Sequence, residues 1–337
     1  MSYNPQSKYM NDHQVGFTLI ELMISLVLGL IVSAAVIQVY LINVKTSSIQ
    51  ASGSELQDAS VFGLQQLEKS IRLANLGNPT TRIDGTTRNG GIVLTGLNIG
   101  VANPNPNEPN PYPNTGYLTR RAGDTAVGTD GWTGISNTNN NSDQLTIQYI
   151  NITGAPMIDC EGATAAVNDI VVERYFVRLA TSNTSTTAIK DLVLACDAGR
   201  VNKTGGIATF TSSSDSKNFG QAGQEFIVNV DQFKVLLGAQ YTMGANAGQL
   251  IYLPSSAYSL ITTPDKAAIT AVKIGLIVHG STPIIGSAEQ SEFALLGQLP
   301  ANNKLKTDTS SKKKVRSTYE TTTLLRNARV VNINTSL

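Results

Sequence analysis

Residues 22–42 form an unbroken run of 21 residues without a charge, LMISLVLGLIVSAAVIQVYLI. As a helix rising 1.5 Å per residue the run is about 31 Å long, close to the roughly 30 Å hydrocarbon core of a bilayer. A secretory signal has a shorter apolar stretch, about 7–15 residues, and then a small-residue cleavage site. No such site follows here. The run leads into Asn43 and a second helical pattern, so the spacing predicts a retained membrane helix. Glu21 stands one residue before the run, after Phe17, Leu19 and Ile20. A carboxylate inside a bilayer costs on the order of 3 kcal/mol. It either caps the helix at the water interface or is an intramembrane charge with a waiting partner.

The flank decides between these readings. Gly16-Phe17-Thr18-Leu19-Ile20-Glu21 resembles the processing signature of type IV prepilins. In that family a prepilin peptidase cuts after the glycine and methylates the new amine. The resemblance implies cleavage between Gly16 and Phe17, methylation of Phe17, and a leader over residues 1–16. Glycine suits a cut made on extended backbone in a tight active site, where a Cβ would conflict. Glu21 then lies about one helical turn beyond the new amine. Its implied role in assembly is to offset the ammonium of a neighbouring subunit. Each charge is costly alone in a low-dielectric bundle, the two attract, and only one axial stagger joins them. The leader departs from the family pattern, with Lys8 opposed by Asp12 and His13 near the cut. Lys8 and Lys45 leave positive-inside counting almost silent. No proline falls between residues 17 and 78, so no kink is carried over from major pilins.

Beyond the run, Leu56, Ala59, Gly63, Leu67, Ile71 and Ala74 recur at spacings of three or four, one face of a helix. Glu55, Gln57, Asp58, Gln65, Gln66, Glu68 and Lys69 occupy other faces. Gly77 and Pro79 are stop signals. An element over residues 17–76 is about 90 Å long, and its second half is expected to pack on its own domain. Residues 80–143 read as loop-rich, with alternating prolines over 103–114 that forbid a helix. Asn137, Asn139, Asn141 and Asp143 have too few carboxylates for a calcium loop, and Gln148 holds the place of the closing glutamate. No metal is expected there.

Strand signals cover 144–152, 170–179, 191–196, 226–237, 249–253, 269–279 and 318–332. Several alternate with period two, as Val171, Glu173, Tyr175 and Val177 against Val172, Arg174 and Phe176. Turn-rich segments at 181–187 and 211–216 separate them. The pattern is a mainly antiparallel β domain.

Cys160 and Cys196 meet oxidising conditions if exported. A disulfide is then the first reading, worth roughly 4 kcal/mol of chain entropy, and two buried free thiols the other. The cysteine pair around Glu173-Arg174-Tyr175-Phe176-Val177, the segment from Val230 to Val235 before Gly238, Ala271 to Val278, and Tyr319 to Asn327 resemble, in their order, the PilW group of minor pilins.

Charged residues are 15% of the chain, the formal net charge is +1, and there are two His and two Cys. A typical domain is about one-quarter charged. The balance excludes a strongly basic nucleic-acid binder as the default, and the counts exclude a zinc finger or a His-rich metal site. His279, inside an apolar strand, reads as a core or edge histidine. No nucleophile elbow, Walker loop or zincin motif is present, and no enzyme activity or cofactor is expected. Lys304, Lys306, Lys312, Lys313, Lys314 and Arg316 read as a solvated basic loop, with contact to DNA, an acidic partner or a polysaccharide as the sharper alternative.

The expected fold is α+β: a long, partly transmembrane N-terminal helix packed on a mainly antiparallel β-sheet head, type IV pilin-like. The expected divisions are a leader (1–16), a transmembrane and assembly helix (17–42), an amphipathic continuation (43–78) and a β-rich periplasmic domain (79–337). The resemblance implies a minor pilin that primes pilus assembly at or near the tip. It would wait as a single-pass protein of the bacterial inner membrane before joining the extracellular pilus. Implied partners are other minor pilins, the major pilin, prepilin peptidase and the inner-membrane assembly platform. A large tip adhesin is a further candidate, and nucleic acid is left open. A minor pseudopilin of a type II secretion system shares the N-terminal logic. A membrane-anchored carbohydrate-binding protein is the rival from another class.

Overall fold

A computed structural model describes residues 16–99, 117–121, 134–204, 207–210, 219–261, 267–284, 289–308 and 313–330. The leader before Gly16, the proline-rich 103–114 stretch, the 211–216 turn and Lys312 lie outside the described residues. The chain divides into two units, Met1–Ser48 and Ile49–Leu337.

The first unit contributes the opening of helix α1, Leu19–Leu73. Leucine, isoleucine and valine at nearly every position leave no polar face in its first half. Those side chains are 50% exposed or more through residue 42, with Leu30 at 63% and Ile31 at 60%. Among the described residues α1 is the helix long and apolar enough to cross a bilayer.

In the second unit the same helix becomes amphipathic. Leu56, Leu64, Leu67, Ile71 and Ala74 are buried in the main core together with residues of both large sheets. Leu67 and Ile71 are fully enclosed. Two close approaches set the seating. A Cβ on Gly63 would stand 2.6 Å from Ile227 Cγ1, and one on Gly280 would collide with Ser52 Oγ. Glu55 adds a polar clamp, accepting bonds from the Ser281 amide (3.0 Å) and hydroxyl and from Thr282 Oγ1 (3.3 Å). The helix stops because Asn75 and Gly77 both adopt left-handed backbone, φ 65° and 74°. Asparagine and glycine tolerate that conformation, and it cannot continue a helix.

Among the described residues the head carries eleven strands: β1 Gln144–Ile150, β2 Met157–Ile158, β3 Thr164–Ala165, β4 Ile170–Leu179, β5 Leu192–Thr204, β6 Ile207–Phe210, β7 Gln224–Val228, β8 Val230–Gln240, β9 Leu250–Leu253, β10 Ala268–Pro283 and β11 Lys314–Leu324. One sheet runs β1-β4-β5-β6, with β7 also on β5. A second runs β11-β10-β8-β9, and β2 pairs with β3. All of these pairs are antiparallel. The result is the expected α+β fold of a long apolar N-terminal helix followed by antiparallel sheets.

Two boundaries correct the sequence reading. The continuous strand expected over 226–237 is broken at Asn229, where φ is 59°. There the chain leaves β5 and joins β10, changing sheets in one residue. The last strand was placed at 318–332 but starts at Lys314 and ends at Leu324. Its early start takes in part of the stretch read as a basic loop. It ends where Asn327 turns back to cap α1, donating to Arg72 O (3.3 Å) and Ala74 O (3.4 Å).

Asp143 ties the two sheets together just before β1. Its amide donates to Phe233 O (2.7 Å), its carboxylate accepts from Val235 N (2.9 Å), and it pairs with Lys234 Nζ at 2.6 Å. Asn137 donates to Lys190 O (2.9 Å) and to Asp231 Oδ1 (2.6 Å). These side chains, considered above as oxygen ligands, serve the joint between sheets.

Candidate functional site

The N-terminal site is built by three residues that have not yet entered the helix. Gly16, Phe17 and Thr18 are non-helical and exposed, and α1 starts at Leu19. Phe17 is 88% exposed. A Cβ on Gly16 would meet nothing within 4 Å, so the described residues impose no steric demand for glycine there.

Thr18 and Glu21 form a reciprocal capping box. The Glu21 amide donates to Thr18 Oγ1 (3.3 Å). Glu21 Oε2 accepts from the Thr18 amide (3.3 Å) and hydroxyl (3.1 Å). This arrangement satisfies two amides that the start of a helix otherwise leaves unpaired. The structure therefore gives Glu21 the local capping contact that was one of its two readings. Only Oε2 is used in those bonds. A carboxylate has about four acceptor positions, so capping leaves capacity for a cation.

In the head, Cys160 and Cys196 are joined as a disulfide, with Cα atoms 6.2 Å apart. The bond links the β2–β3 hairpin to β5 and encloses β4. A Glu173 carboxylate oxygen lies within 4.8 Å of both sulfurs, but paired cysteines offer no thiolate, so the cluster is structural. Glu173 instead accepts from Tyr175 OH (2.7 Å), Tyr149 OH (3.0 Å) and Cys160 N (3.2 Å). Burial raises its carboxyl above the usual range, against the pull of those donors. Burial also raises both phenols.

The opposite face of β4 holds a buried ion pair that the sequence reading did not single out. Arg174 pairs with Asp197 at 2.8 Å, both side chains fully enclosed. The guanidinium lies over Phe176 (4.2 Å) and Tyr117 (4.8 Å). Asp197 also accepts from the Gly220 and Gln221 amides, yet burial pushes its carboxyl up to about 6. Nothing in the local alternation distinguishes Arg174 from a solvent-facing arginine. The signal would have to come from residues far along the chain.

The expected solvated basic loop holds at the exposed Lys304, Lys306 and Lys313 and is overturned at Lys314 and Arg316, which lie on β11. Arg316 is buried on β11, pairing with Asp231 at 2.7 Å and with Glu289. Lys314 reaches Asp191 (4.0 Å), Lys304 pairs with Glu292 (3.2 Å), and Lys306 donates to Ser136 O (2.6 Å). The physical reason is local pairing: facing carboxylates neutralise Lys304, Lys314 and Arg316, and a backbone carbonyl takes the Lys306 ammonium. His279, buried on β10, bonds Gly280 O through Nδ1 at 3.0 Å. Burial lowers its pKa, in keeping with a core histidine.

Comparison with known proteins adds three findings. Residues 13–37 match the family model described as Prokaryotic N-terminal methylation motif. Residues 201–327 match the model described as Type IV Pilus-assembly protein W. Among solved structures the chain is similar to the type IV-like pilin TTHA1219 from Thermus thermophilus. The identity is 12%, the overlap covers 81% of this chain and 99% of that one, and the TM-score is 0.36. No curated protein matches the chain.

The methylation-motif match across the start of an exposed apolar helix, followed along the chain by a disulfide-bonded antiparallel head, makes this chain similar to type IV pilin-like proteins. Within that class the match over the second half of the head gives the resemblance to the PilW group of minor pilins.

Proposed function

We propose that the chain is a minor pilin of a type IV pilus. Prepilin peptidase cuts between Gly16 and Phe17 and methylates Phe17. Residues 17–42 then hold the protein in the bacterial inner membrane with the head in the periplasm. With other minor pilins it primes assembly and takes a place at or near the tip. The observation that carries this reading is the juxtaposition at the N-terminus. A non-helical, exposed Gly16-Phe17 leads directly into a capped helix whose apolar side chains are exposed on every side. Such a helix needs lipid or sister helices around it.

The mechanism is helix bundling. The freed ammonium of a neighbouring subunit meets the Glu21 carboxylate, and the pair sets the axial stagger. Because Gly16 has open space around it, the demand for glycine belongs to the processing enzyme and not to this fold. No catalytic step is assigned to the chain. Mass spectrometry of protein from the native membrane tests the processing step. The expected N-terminus is a singly methylated Phe17. A chain that keeps its leader in assembled pili would overturn the proposal.

A further inference from the structure

The turn that ends α1 and the segment after β11 border an open cleft of about 440 Å³, lined in part by Asn78, Pro79, Thr81, Ile152, Arg326 and Arg329. Its frame is fixed by hydrogen bonds. Buried Asn75 donates to Thr80 O (2.9 Å) and Asn327 O (2.7 Å) and accepts from Asn78 Nδ2 (2.9 Å). The Arg329 amide donates to Thr81 O (2.9 Å). The backbone that presents both arginines is thus set in advance, which lowers the ordering cost of binding.

Arg326 and Arg329 are exposed, and neither guanidinium forms an ion pair among the described residues. The carboxylates nearby are already engaged. Glu68 pairs with Arg72 (3.0 Å) and accepts from Thr321. Asp84 faces Arg82 (3.9 Å) and accepts from Thr86 Oγ1 (2.7 Å). The end of α1 does not explain the pair either. A helix C-terminus carries only about half a negative charge, and Asn327 already donates to its carbonyls. Two guanidinium groups exceed what that end can balance. In a chain with 15% charged residues and a net charge of +1, the cleft concentrates uncompensated positive charge.

The geometry points to an acidic sugar as the occupant: a uronic-acid unit of a polysaccharide, its carboxylate held by Arg326 and Arg329. The planar guanidinium fork matches a carboxylate in bidentate fashion. Thr81 offers a polar side chain for a ring hydroxyl, and Pro79 and Ile152 offer apolar contact for the ring's C–H face. The volume lies within the range of small-molecule sites. Among the described residues no aromatic side chain lines the cleft, so they offer nucleic-acid bases no stacking platform. The inference concerns the head alone and stands whether or not the assembly role of Glu21 holds.

The test titrates oligogalacturonate into the full chain in detergent micelles by calorimetry at physiological ionic strength. Saturable binding is expected, weakened about tenfold or more in the Arg326→Gln/Arg329→Gln double variant and unchanged in Lys69→Gln. Neutral galactose oligomers should not compete. Unaltered binding by the double variant would overturn the inference. So would equal binding of single-stranded DNA, or equal competition by inorganic phosphate, which would mark a general anion site. Should the double variant fail to fold, wild-type protein is treated with phenylglyoxal and mapped by peptide mass. Oligogalacturonate should protect Arg326 and Arg329 selectively. Identical modification with and without the sugar would equally overturn it.

Discussion

One helix carries two opposite relations to its surroundings. Along residues 19–42 of α1 the large apolar side chains are exposed, Leu19 at 77% and Leu41 at 59%. Along residues 56–71 the leucines and isoleucine of one face are buried against the sheets. The backbone hydrogen-bonding pattern is the same in both halves, so secondary structure does not account for the contrast. Side-chain patterning does. The first half is apolar all round and leaves its burial to an external medium. The second half restricts apolar residues to a stripe and completes its burial within the chain. On the proposed function, the same polypeptide would serve assembly with one half of a helix and folding with the other.

Glu21 caps the exposed half, and its capping box offers the strongest way to break the contrast. Glutamine preserves a capping box but carries no charge. If pairing with a neighbour's ammonium drives assembly, Glu21→Gln should reduce piliation as severely as Glu21→Ala. A close charge pair worth more than about 1.5 kcal/mol corresponds to about tenfold or more in assembly. Counting pili by electron microscopy separates the cases. Wild-type pilus numbers in Glu21→Gln would reduce the residue to a helix cap.

The next effects belong to the head. Replacing Cys160 and Cys196 by serine should lower its unfolding free energy by roughly 4 kcal/mol, from the 36-residue separation that the bond closes. Chemical denaturation monitored by near-ultraviolet circular dichroism would measure it, and an unchanged midpoint would show that the bond contributes nothing. Leu67→Ala should cost about 2–5 kcal/mol, since a fully enclosed leucine leaves a cavity. Leu30→Ala, on the same helix but 63% exposed, should leave head stability within about 0.5 kcal/mol of wild type. Equal losses from the two substitutions would erase the distinction between the halves.

What could be read from the sequence follows the same division. The apolar run, the Gly16–Glu21 flank, the helical stripe and the 170–179 strand were legible because each depends on neighbours a few residues away. The sheet change at Asn229 was not, since one asparagine between two apolar runs reads as part of a single strand. Only the separate partners of β7 and β8 reveal the break. Both faces of β4 are covered, which is how Arg174 becomes enclosed with Asp197, and period-two alternation alone does not display that second cover. The basic stretch misled for a related reason. Lys304, Lys314 and Arg316 are neutralised by Glu292, Asp191, Asp231 and Glu289, and linear spacing does not display those pairings. The arginine cleft was equally hidden, because its two sides are separated by more than 200 residues of sequence.

The smallest expected effect lies where the buried stripe of α1 begins. Glu55 accepts from Ser281 and Thr282 at the end of β10, and the Ser281 hydroxyl and amide hold its carboxyl below the ordinary 4.5. A depressed carboxyl stabilises the fold when ionised. That stabilisation is complete above about 4.5 and is lost as the pH falls through the lowered value. The group is largely solvated, so its worth stays below about 1 kcal/mol. Comparing thermal unfolding of wild type and Glu55→Gln from pH 7 to pH 3 isolates the contribution. The wild-type advantage should be present at neutral pH and vanish at the acid end. A difference independent of pH would mean that the clamp acts through shape and neutral hydrogen bonding. The second half of α1 would then be held to its sheets by apolar packing without help from charge.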